Sequence, residues 1–210
     1  MSTFNEQDIT CEECDEKFKG TVWTAIHAGE DPELKDLLLG GELNLVMCPH
    51  CSHVAYQDHF ILYQDPAAEL IAYIYPLPQK AEEDFLRKAM QESFQEAQKV
   101  YAPDQRKDYD PLLVFGLESF VEMMHQEELR AEQSQIAEAL CKEHRIPYVV
   151  LRPSQARRLG TMRVLPGGTG NDLPQGKLLT GLKKLLTLNP ALDLYAALLK
   201  TVESAPDWSL

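Results

Sequence analysis

The chain has 210 residues, 44% of them hydrophobic and 25% charged, which gives enough apolar material for a sizeable core and argues against general disorder. No apolar run approaches the ~20 residues that span a bilayer. Met1–Asp8 is polar, without the basic-then-apolar order of a secretory signal, so a cytoplasmic, reducing setting away from membranes is expected. The net charge of −13 is uneven: residues 1–80 carry 14 acids against 4 bases, residues 81–145 carry 15 against 8, and residues 146–210 carry 4 against 8. The acidic front repels phosphate backbones, which counts against nucleic-acid binding. The basic final third reads as charge balance within one chain on a solvated surface.

The first cysteine pair lies in residues 9–20. Thr21–His27 is β-rich and predicts a strand. Asp31-Pro32-Glu33 predicts a helix start, with Asp31 as the cap and Pro32 in the first turn. Leu34, Leu37 and Leu38 supply its apolar face, and Gly40-Gly41 its end. Leu43–Met47, Phe60–Tyr63 and Leu70–Tyr75 predict strands, the last two joined by the turn residues Gln64-Asp65-Pro66. Pro76 and Pro78 mark a boundary. Apolar residues three or four apart predict an amphipathic helix over 81–101, and 103–110 is a charged loop. A strand is expected at 111–115 and one long helix, or two in line, over 117–145. Ile146–Leu151 and Met162–Leu165 are short β-type runs, bounded by Pro153 and Pro166. Gly167–Asp172 is a glycine-rich loop that lacks the phosphate-loop and dinucleotide spacings. A helix is expected around Leu178–Leu186, and a second starting at Asn189-Pro190.

Four of the five cysteines form two Cys-x-x-Cys pairs, Cys11/Cys14 and Cys48/Cys51. In a reducing compartment that pattern points to metal before disulfides. Two residues between cysteines let one tight turn aim both sulfurs inward. Two such turns form the closed tetrahedron of a structural zinc site, one Zn2+ per chain, with Cys11, Cys14, Cys48 and Cys51 as the metal ligands. The 33 residues between Cys14 and Cys48 exceed what a short ribbon needs and accommodate the expected strand and helix. A redox dithiol needs a depressed thiol pKa, whereas Glu12, Glu13, Asp15 and Glu16 are expected to raise it. An iron–sulfur cluster also takes four thiolates, and a catalytic zinc leaves one position open; both rank below a closed zinc site.

Ile9-Thr10-Cys11-x-x-Cys14, Asp31-Pro32-Glu33-Leu34-Lys35, Gly41-Glu42-Leu43, Cys48-Pro49-His50-Cys51 and Leu62-Tyr63-Gln64-Asp65-Pro66 together resemble the CpXC protein family of bacteria and archaea, so a bacterial-type protein is expected. The resemblance covers about residues 8–76, extends more weakly through Leu117–Met124, and does not reach residues 146–210. It implies a cysteine-bound metal and assigns no activity. Glu12 stands where the family motif carries proline, and Asp15 and Ser52 stand where such knuckles often carry glycine; these departures bear on turn geometry, since all four sulfurs are kept.

His50, His53 and His59 lie near the second pair as surface side chains, because four thiolates already saturate zinc. Cys141, one helical turn from His144, reads as a buried or idle helix cysteine and as the one thiol reactive before metal removal; Cys141→Ser is expected to change neither metal content nor stability. Trp23, Tyr73, Met123 and Met124 read as core. The expected fold is α+β: a zinc-ribbon-like β domain with an inserted short helix over 1–78, a helical region over 79–145, and an α/β, mostly helical C-terminal extension over 146–210. Metal loss is expected to unfold at least residues 9–75, which have little core of their own. The expected function is a structural zinc-binding protein, a non-catalytic interaction module with a protein partner. The alternatives are an enzyme that carries a structural zinc, which a turnover screen tests, and a nucleic-acid-associated zinc ribbon, which a salt-sensitive mobility shift tests.

Overall fold

The computed structural model describes residues 1–170 and 173–205, so Asn171 and Asp172 of the expected glycine-rich loop lie outside the described residues. The fold is α+β, with a sheet near the N-terminus and a helical C-terminal region. The described residues form two compact units, divided between Met124 and His125. Among them no helix is long and apolar enough to cross a membrane.

The first unit is built on a five-stranded mixed sheet. Strand β1 (Thr3–Thr10) pairs antiparallel with β2 (Lys17–His27) along its whole length, from Thr3↔Ala25 to Thr10↔Lys17. Sequence reasoning missed β1, because only Ile9 of its residues is buried and its side chains show no apolar alternation. Its strand character comes from β2, and Glu6 and Asp8 on this edge strand discourage pairing with further chains.

Helix α1 (Pro32–Leu39) follows, burying Leu34 and Leu38, and Gly41 at φ 73 supplies the left-handed residue beyond its end. Asp31 occupies the cap position but its side chain does not cap. Its Oδ2 accepts the Ser2 N–H at 2.9 Å instead, and Ser2 holds the carboxyl below the usual carboxylate range. A separate hairpin comes next, β3 (Leu45–Met47) and β4 (Val54–Tyr56).

Strands β5 (Ile61–Asp65) and β6 (Leu70–Tyr75) form an antiparallel hairpin, and β5 pairs in parallel with β2 at Ala25–His27. Buried Asp65 fixes the turn: its Oδ1 accepts the Ala67 and Ala68 N–H groups at 3.1 Å, while Lys35 Nζ and Tyr63 Oη lie 3.4 Å from Oδ2. The sheet continues past Pro78. Helix α2 (Glu83–Lys99) is the crossover that parallel pairing requires, and β7 (Leu112–Phe115) returns beside β6. The order is β1-β2-β5-β6-β7. The core joins Ile26, Leu38, Leu43, Ile61, Tyr63 and Ile74 to Phe120 and Met124, with the Tyr63 and Phe120 rings 5.0 Å apart. Phe120 and Met124 lie on α3 (Leu117–Glu143), a single long helix.

The second unit holds the rest of α3 and strands β8 (Tyr148–Val150) and β9 (Val164–Pro166), paired antiparallel. Helix α4 (Pro153–Leu159) lies between the strands, and α5 (Gln175–Leu188) and α6 (Asp193–Ser204) follow. Sequence reasoning missed α4, although Pro153 at its first position and left-handed Gly160 at its end are start and stop signals. Asn189-Pro190 does not open the last helix. Asn189 Oδ1 accepts the Ala191 N–H at 3.1 Å in a side-chain turn, and α6 begins at Asp193. The core is leucine-rich, around Leu165, Leu178, Leu182, Leu185 and Tyr195, whose hydroxyl donates to the Val164 carbonyl at 2.8 Å.

Candidate metal centre

The two cysteine pairs sit on two turns with the same backbone hydrogen bonds. In the first, Cys11 N–H donates to Glu16 O at 2.9 Å and Asp15 N–H to Cys11 O at 3.0 Å; in the second, Cys48 N–H donates to His53 O at 2.8 Å and Ser52 N–H to Cys48 O at 2.9 Å. Asp15 at φ 58 and Ser52 at φ 61 take the left-handed conformation at equivalent places. The glycine-free knuckles therefore keep the turn, at a cost of about 1 kcal/mol for a left-handed non-glycine residue. Backbone N–H groups also reach the sulfurs alike: that of Glu16 reaches Cys14, and that of His53 reaches Cys51.

Three features bring the turns together across the sequence. The hairpin carrying the second turn starts at Asn44, which is buried and left-handed at φ 62. Its side chain substitutes for a neighbouring strand: Oδ1 accepts the Trp23 N–H at 2.7 Å, and Nδ2 donates to the Trp23 carbonyl at 3.0 Å. The base of the hairpin closes as Gln57 N–H donates to Asn44 O at 2.9 Å. Gly20 on β2 leaves room for the closest approach, since a Cβ there would lie 2.3 Å from Ile9 Cδ1 and 3.4 Å from Val46 Cγ1. Asn44→Ala strands two Trp23 backbone groups, at roughly 1–3 kcal/mol each. The expected outcome is a lower thermal midpoint and metal loss at a lower chelator concentration than wild type. Identical chelator titrations would show that Asn44 does not position the knuckle.

The four Sγ atoms lie within 4.8 Å of one another. Cys11 and Cys51 are 3.5 Å apart and Cys14 and Cys48 3.7 Å, each contact crossing from one turn to the other. Tetrahedral zinc–thiolate bonds of ~2.3 Å give sulfur–sulfur edges of roughly 3.8 Å, and a disulfide would be ~2.05 Å. The spacing fits four ligands around one ion, and all five cysteines are free. Burial pushes Cys11 up, but the Glu13 and Cys14 N–H groups and neighbouring thiols outweigh it and bring Cys11 down to about 6. The acidic residues around the first pair therefore do not raise every thiol, as charge alone had suggested. At Cys14 the Glu16 N–H pulls down, yet burial and the three other cysteines push it up to about 12. Cys51 is also raised, against the His53 N–H, by burial and by Cys11. A divalent ion bound there would supply the positive charge that keeps all four sulfurs deprotonated.

The other singled-out side chains lie apart from this chemistry. Among the described residues these four cysteines are the one group of His, Cys, Asp or Glu with metal-holding geometry. His50 is exposed on the second turn, and His53 contributes its backbone. Trp23 is half-buried with Phe4 edge-on at 5.1 Å, and Tyr73 is buried. Cys141 is fully buried, with its thiol pushed up to about 11 by burial and Glu138, whereas His144 is exposed. This corrects two expectations: Cys141 is shielded from reagents, and Cys141→Ser buries a hydroxyl at a cost of about 1–3 kcal/mol. That variant is expected to melt lower with unchanged metal content, by calorimetry and elemental analysis.

Residues 9–140 match the family described as CpXC protein, and the chain belongs to that family. The match extends past the sheet and into α3. No curated protein matches the chain, and no solved structure does.

Proposed function

We propose that the chain is a zinc-stabilised, non-catalytic interaction module, with one structural Zn2+ held by Cys11, Cys14, Cys48 and Cys51 in a ribbon-like pair of knuckles. The observation that carries this reading is the convergence of four sulfurs, with cross-turn edges of 3.5 and 3.7 Å, from two turns of one design. Zinc suits four thiolates in a tetrahedron, and a set of four leaves no position open for water or substrate. The ion then serves to fix the second knuckle and its hairpin against β1 and β2, and the surface so fixed is what a protein partner meets.

The test is elemental analysis with a thiol count. About one zinc per chain supports the reading if no thiol reacts in the native protein, four react after chelation and all five cysteines react after denaturation. Iron in place of zinc, or reactive thiols with no metal, overturns it.

A further inference from the structure

The segments that carry the sulfurs, 11–16 and 42–59, hold six acidic residues and no lysine or arginine. The hairpin within the second segment has two unlike faces. Val46 turns inward and is buried, while Leu45, Met47, Val54 and Tyr56 turn out, 45%, 64%, 52% and 38% exposed. Leu45 stands opposite Tyr56 and Met47 opposite Val54 in the β3–β4 ladder. Cross-strand neighbours lie side by side, so the four side chains form one patch. A short hairpin that turns its large apolar side chains to water carries a cost that burial against another surface removes.

Charge identifies the occupant. Glu42 and Asp58 flank the Leu45–Tyr56 end, where Glu42 O accepts the Leu45 N–H at 3.2 Å. The Tyr56 phenol is pushed up to about 12 by partial burial and by the Asp58 carboxylate. At the other end Met47 and Val54 adjoin the second knuckle, and the first knuckle, whose sulfurs meet those of the second, carries exposed Glu12, Glu13, Asp15 and Glu16. Four thiolates around a divalent ion add further net negative charge. A second copy would set acid against acid, and nucleic acid or an anionic membrane would be repelled.

We infer that the outer face of the β3–β4 hairpin docks a polypeptide partner that presents apolar side chains flanked by lysine or arginine. This rests on the zinc-module reading, because the metal fixes the hairpin that carries the patch.

The test uses the zinc-loaded full chain, with an eight-residue alternating Lys-Leu peptide and its Glu-Leu counterpart as probes in an NMR titration. Zinc content is measured on every sample. The Lys-Leu peptide is expected to shift amides of residues 45–47 and 54–56 and to bind more weakly as salt rises. Its affinity falls at least about tenfold in Met47→Thr/Val54→Thr, the size of one lost anchor contact, and the Glu-Leu peptide does not bind. Leu45→Thr, placed away from the sulfurs, repeats the comparison should the double variant lose zinc. Undiminished Lys-Leu binding by zinc-loaded variants, equal binding of the Glu-Leu peptide, or self-association of wild type abolished by these substitutions overturns the docking face. Wild type without zinc overturns the module reading instead.

Discussion

Cys48→Ser is expected to release the metal and to unfold the two knuckles together with the β3–β4 hairpin. The Cys48 sulfur is buried and lies 3.7 Å from that of Cys14. Serine offers a hydroxyl that does not ionise near neutral pH, so three thiolates remain for an ion that takes four. Structural zinc in small peptides is worth about 10–16 kcal/mol of apparent binding energy, so on the zinc reading this is the largest effect expected of a single substitution. The unfolding is expected to stop short of the span 9–75 that the sequence suggested. Ile61, Tyr63, Leu70 and Ile74 belong to a core with Phe120 and Met124 that does not involve the sulfurs. Hydrogen exchange is therefore expected to speed up at 9–20 and 42–59 while amides of β5 and β6 stay protected. Zinc content equal to that of wild type would remove Cys48 from the ligand set.

Gly167→Ala is expected to be the most damaging small substitution in the second unit. Gly167 follows β9 at φ 117, and an added Cβ would lie 2.0 Å from the Lys177 carbonyl oxygen and 2.5 Å from its carbon. One turn along α5, a Cβ on Gly181 would lie 2.4 Å from the Pro166 carbonyl oxygen. The strand end and the helix thus meet backbone to backbone, and no side chain can rotate aside. Overpacking combined with a strained φ is worth about 3 kcal/mol or more, which lowers the melting temperature of a unit this size by roughly 10–20 °C. Calorimetry reads the drop, and zinc content stays at the wild-type level. A melting temperature within a few degrees of wild type would mean that the crossing is looser than drawn.

The parts legible in the sequence were those governed by local chemistry. The Cys-x-x-Cys spacing, the Pro32 helix start and the apolar strand runs each follow from a few neighbouring residues. Less legible were features supplied by distant partners. β1 is a strand because β2 lies beside it, and nothing in Thr-Phe-Asn-Glu-Gln-Asp-Ile-Thr shows that by itself. Asp31 is a good cap by type, yet Ser2 claims its carboxylate. Asn44 looks like an ordinary loop asparagine, although it carries the join between the hairpin and β2. Cys141 reads as buried or idle from its neighbours, and its complete burial, which the spacing to His144 does not decide, is set by the second unit's core.

The matched turns share one asymmetry. The leading sulfur of each pair belongs to a buried residue, Cys11 or Cys48, whereas Cys14 is half-exposed and Cys51 exposed. A metal held between them has an inner wall and an outer wall. Chelators and oxidants would meet the outer wall first, so on the metal-bound reading Cys51 is expected to let go before the two buried thiolates.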